Sequence, residues 1–127
     1  LEDEVFHQKV LVEFIGNVNS RFQERVLNDE VLKGFTSFVP HLPHREVLQR
    51  YGTTDVQLLV LAHTSIAPGN LPSKFFEYLA SGNFILGVGP EEGDASHVLK
   101  MVGHGVVIDR GKISAVKKEL NRLFQLW

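Results

Sequence analysis

The residues best suited to chemistry lie in the segment Leu71-Pro72-Ser73-Lys74-Phe75-Phe76-Glu77-Tyr78-Leu79-Ala80-Ser81-Gly82. Proline suits the first turn of a helix and glycine its end, so the spacing predicts a helix from Pro72 to Gly82. Ser73 and Lys74 then fall in the first turn. Backbone N–H groups there lack intrahelical acceptors, and with the helix dipole they bind anions. The dipole alone disfavours a lysine at that end, and an anion bound beside it would remove the conflict. Glu77 follows Lys74 by three residues on the same face. A carboxylate so placed could accept hydrogen bonds from two adjacent sugar hydroxyls. The plainer alternative is a solvated Lys74/Glu77 pair worth only a few tenths of a kcal/mol. Phe75 and Leu79, four apart, are expected in the core.

Other constellations are weaker. His41 and His44 are three apart, but Pro43 lies between them and no carboxylate is adjacent, a poor pattern for a metal. His41 fits better as a loop residue beside a ligand, and His63 is expected as polar filling of a loop. Asp94 is expected to cap a helix, with a place near a ligand as the lesser alternative, and Asp109 to sit in a turn. Gly87-Val88-Gly89-Pro90 lacks the spacing of a dinucleotide fingerprint. Trp127, with Leu123 and Phe124, is read as the core face of the last helix.

These residues need a scaffold, and the hydrophobic pattern supplies one. Strands are expected over residues 9–15, 35–39, 55–62, 84–88 and 105–108. Helices are expected between them: one opened by a Ser20/Gln23 capping box and running to about Leu27, one after Pro43 with Val47, Leu48 and Tyr51 on one face, the Pro72–Gly82 helix, one from Asp94 to about Val102, and one capped by Ser114. The strand over 55–62 is nearly continuously apolar and reads as a central strand covered on both faces. A further helix is expected partly within residues 1–8. Alternation of this kind predicts an α/β fold, a Rossmann-like parallel sheet of about five strands with helices on both faces in three α/β/α layers. In such sheets ligands bind at the carboxyl ends of the strands, and four of the five loops there contain glycine.

Composition is that of an ordinary globular domain. The chain has 127 residues, 43% apolar and 22% charged, and a formal net charge of −2. It contains no cysteine, which excludes disulfides, thiolate metal sites and a cysteine nucleophile. No basic run exceeds Lys117-Lys118, so no nucleic-acid partner is expected. No apolar run approaches the roughly 20 residues of a membrane span, and the acidic start is not a signal peptide.

The stretch from Leu71 to Leu86 resembles the P-x-K-x-x-E-Y-L-A-x-G-x-P-(I/V)-L motif of retaining glycosyltransferases of family four, enzymes with two facing Rossmann-like domains. Other pieces agree in order: Phe14-Ile15-Gly16-Asn17-Val18, Phe38-Val39-Pro40-His41, Asp55-Val56-Gln57-Leu58-Leu59, Glu92-Gly93-Asp94-Ala95-Ser96 and Gly103-His104-Gly105-Val106-Val107-Ile108-Asp109. The resemblance covers roughly residues 9–125. It implies a C-terminal donor-binding domain spanning 1–127, a fragment lacking its first strand and the N-terminal acceptor domain. The donor would be a nucleoside diphosphate sugar, such as a UDP-sugar, with no further cofactor and no metal. Glu77 would bind the ribose hydroxyls. Lys74 would be the catalytic cation beside the diphosphate, with Ser73. Val39-Pro40-His41 would border the base, and Gly69 and Leu71 complete the donor-binding positions.

Three departures accompany the likeness. Gly69 stands where many members carry a second glutamate, eight residues before the first. Phe84 replaces the usual proline. The phosphate-binding arginine and lysine usual after the first strand would precede Leu1. The resemblance implies a cytoplasmic enzyme of polysaccharide or glycolipid synthesis, with membrane contact only through its missing part and no activity in the fragment alone. The rival expectation is a non-catalytic Rossmann-like scaffold, favoured by Gly69. A receiver domain would need an acidic cluster after the first strand, and none follows Lys9–Asn17.

Overall fold

A computed structural model describes residues 4–61 and 71–126. The elements follow in the order α1 (Glu4–Lys9), β1 (Val12–Ile15), α2 (Ser20–Leu27), a 3₁₀ turn (Leu32–Gly34), β2 (Thr36–Val39), α3 (His44–Tyr51), β3 (Val56–Val60), α4 (Ser73–Ser81), β4 (Phe84–Val88), α5 (Asp94–Val102), β5 (Gly105–Ile108) and α6 (Ile113–Gln125). Among the described residues the fold is α/β, the expected class, and each of the five strands pairs in parallel with its ladder neighbours. The strands form two ladders, β1-β2 and β3-β4-β5. The chain likewise divides into two compact units, one ending at Val47 and the other beginning at Leu48.

In the first unit β1 and β2 pair in register from Val12 opposite Thr36 to Ile15 opposite Val39. Phe14 and Phe38 are neighbours in that register and stack at 5.5 Å, and Phe22 of α2 meets both edge-on at 5.4 and 6.2 Å. This aromatic triad fastens α2 to the ribbon. The helix is capped by Asn19, one residue earlier than expected: its side-chain oxygen accepts from the backbone N–H of Arg21 and Phe22. Ser20 is therefore the first helical residue. Gln23 still reaches back, donating to the Val18 carbonyl at 3.3 Å.

In the second unit β4 lies at the centre, flanked by β3 and β5. The period of two along each strand sorts side chains between faces. Leu59, Ile85 and Val107 point to one face, where they join Phe75 of α4 and Ala95 and Leu99 of α5 in the buried core. Leu86 and Ile108 are buried on the other face. There α6 places its Arg122 guanidinium 5.6 Å from the centre of the Phe84 ring. Helices thus lie on both faces of this sheet, although β3 is covered on one face only. Glycine is required where the strands crowd: a Cβ on Gly105 would lie 2.5 Å from the Ile85 carbonyl oxygen.

Three expectations change here. β3 is not central; it borders the described ladder, with Leu58 43% and Val60 75% exposed. Its apolar run does not reflect double burial, because one face carries Gln57 and Leu59 inward while the other is uncovered. Asp94 is the first residue of α5, and Gly93 occupies the cap position without a side-chain bond. Lys112, not Ser114, precedes α6 at its cap. Trp127 lies outside the described residues, and of its expected companions Leu123 is fully packed. No described helix is long and apolar enough to cross a membrane.

Candidate functional site

The carboxyl end of the β3-β4-β5 sheet is where α4 and α5 begin. Pro72 precedes α4 with φ −67° and ψ 149°, an extended residue whose missing N–H costs nothing at a helix start. No side chain caps this end. Phe75 N–H turns back to the Pro72 carbonyl at 3.0 Å. Phe75 anchors the helix as one of the most deeply buried residues, and Leu79, one turn on, packs against the same core. At the other end Gly82 takes the left-handed conformation, φ 77°, and its N–H closes on the Leu79 carbonyl, a conformation that costs glycine little.

This burial turns Ser73 and Lys74 to solvent, while Glu77 is half-buried. Ion pairs elsewhere among the described residues include Lys33–Glu30, Lys112–Glu91 and Arg122–Glu119. Along the axis Lys74 and Glu77 are about 4.5 Å apart, so one ligand of nucleotide size can span both.

Glu77 is held from a second helix. The Tyr51 hydroxyl, in the last turn of α3, donates to Glu77 Oε2 at 3.3 Å. The Tyr51 ring meets Tyr78 edge-on at 5.6 Å and 83°, and its carbonyl accepts from Asn83 Nδ2 at 2.7 Å. Burial first, then the neighbouring Tyr78 and the charge of Glu77, push the Tyr51 phenol from 10.0 up to about 12. Burial, then Glu77, also raises Tyr78. Both rings therefore stay protonated at neutral pH. This arrangement is not visible in the sequence, since Tyr51 and Glu77 are 26 residues apart on different helices.

The exits of β4 and β5 are tied together. Glu91 accepts from the Asp109 backbone N–H at 3.0 Å and from Lys112 Nζ at 2.8 Å. The backbone donor and then the ammonium lower the Glu91 carboxyl below its ordinary value, and the same contact raises Lys112. Asp109 is the expected turn residue: its Oδ1 accepts from Gly111 N–H at 2.8 Å.

The residues expected at a donor site fall into separate parts of the chain. Leu71, Ser73, Lys74 and Glu77 come together around the start of α4, although Leu71 also packs against the core. Pro40 and His41 follow β2 and are exposed. Gly69 and His63 lie outside the described residues. His41 and His44 belong to no group of three potential metal ligands among the described residues. A shallow depression in the first unit is lined by Arg21, Glu24, Arg25, Asn28 and Asp29. Its two cations and two carboxylates offset each other and give it no preference for an anion.

Neither a protein-family model, a curated protein nor a solved structure matches this chain.

Proposed function

We propose that this chain is the nucleotide-sugar-binding part of a glycosyltransferase. The observation that carries the reading is on α4: an exposed cation in an uncapped first turn, and one turn later a half-buried carboxylate fixed by a tyrosine. The diphosphate would lie against the first-turn N–H groups and Lys74, and the ribose diol against Glu77. Departure of the nucleoside diphosphate leaves negative charge on phosphate oxygens. A helix N-terminus and an ammonium aimed at that charge lower the barrier to sugar transfer. The order of segments resembling family-four retaining glycosyltransferases supports the same reading. The acceptor, a glycan or glycolipid, would be held by a second domain, without which the chain binds donor but does not transfer it. The intact enzyme would work in the cytoplasm, meeting membrane through that other part.

Calorimetric titration with UDP, GDP and ADP tests the proposal. At least one should bind, and Glu77→Ala should weaken it about ten-fold or more, the scale for losing hydrogen bonds to a charged group. No binding, or binding indifferent to Glu77, overturns it. A second reading, a scaffold that keeps the fold without catalysis, is favoured by one observation: Gly69 stands where many members of that family carry a glutamate. It predicts no affinity for any of the three nucleotides.

A further inference from the structure

Resting on the donor-binding reading above, we infer that Tyr51 is a positioning residue for Glu77, orienting its carboxylate toward the ribose diol of a nucleoside diphosphate. Tyr51 is fixed at three points: its ring against Tyr78, its carbonyl by Asn83 Nδ2 at 2.7 Å, and its hydroxyl on Glu77 Oε2. A hydroxyl mounted on so constrained a ring has little choice of direction. Glu77 by contrast has three rotatable side-chain bonds, and ordering such a chain at the moment of binding weakens affinity. A donor already holding one carboxylate oxygen reduces that loss. The contact is 3.3 Å, long for O–H···O, as is common in sites that tighten only with ligand present. The phenol remains a donor throughout the physiological range because it is partly buried beside a carboxylate.

Tyr51→Phe removes the hydroxyl and leaves the ring contact with Tyr78 and the backbone contact with Asn83. The experiment measures affinities of the wild-type chain and this variant for UDP and GDP and for their 2′,3′-dideoxy forms, alongside thermal midpoints. The wild type should prefer the ribose form by about ten-fold. In Tyr51→Phe that preference should fall about three- to ten-fold while affinity for the dideoxy form is unchanged. If the variant weakens both forms equally, or changes only the thermal midpoint, Tyr51 is a structural tie between α3 and α4 and the inference is overturned. If the wild type binds nucleotide without preferring the ribose form, Glu77 does not read the diol and the inference falls with that assignment. If it binds no nucleotide, the donor-binding reading itself fails first.

Discussion

Replacing Gln57 by methionine should stabilise the protein. Gln57 sits on β3 facing the same side as Leu59, opposite Ile85 in the register, and is only 6% exposed. Its Nε2 is buried without a hydrogen-bond partner among the described residues. An orphaned buried donor carries a desolvation cost of about 1–3 kcal/mol. Methionine has similar length and volume, adapts its rotamers to the site, and removes that donor while adding apolar burial. The expected gain is therefore about 1–2 kcal/mol, a rise of roughly 3–8 °C for a chain of this size. Urea unfolding followed by circular dichroism should show a higher midpoint with an unchanged slope, the signature of altered stability without altered compactness. A lower midpoint would refute the reasoning, because it would mean that the amide has a partner in solution worth more than its burial costs.

Two further outcomes follow from the same structure. Phe75→Ala empties the centre of the second unit's core, where Phe75 is fully buried, and should cost about 3–5 kcal/mol in urea unfolding; a cost below 1 kcal/mol would mean that the core collapses around the gap. Glu91 has its carboxyl lowered in the folded state by the Asp109 N–H and then by Lys112. Its stabilisation is complete above the ordinary value of 4.5 and is lost as pH falls through the lower folded value. Glu91→Gln should therefore flatten the pH dependence of stability below that point, and an unchanged acid profile would show the tie between the β4 and β5 exits to be absent in solution.

Much of the fold is legible in the sequence because it is local. Strand runs such as Phe84–Val88 and the Pro72…Gly82 helix are written in β-branched clusters and in backbone punctuation, and they lie where expected. Caps shifted by one or two positions where several polar residues compete: Asn19 outdoes Ser20, and Asp94 and Ser114 each fall inside their helices. The place of β3 was not legible, since an apolar run looks the same whether a strand is central or borders a ladder. Half of the candidate site was readable, namely Ser73, Lys74 and Glu77, whose spacing alone puts them on one helical face. Tyr51, Asn83 and the Glu91–Lys112 bridge were not, because they join residues 21 to 32 positions apart, and no local period encodes such contacts.

On the proposed function, the start of α4 holds a nucleoside diphosphate. The most direct test is to follow the backbone amide resonances of the chain by NMR while UDP or GDP is added. Progressive, saturable shifts are expected, concentrated at Ser73, Lys74 and Phe75 and accompanied by Glu77 and Tyr51. Amides that stay still there while the nucleotide saturates, or that move instead around Arg21 and Arg25, would contradict it.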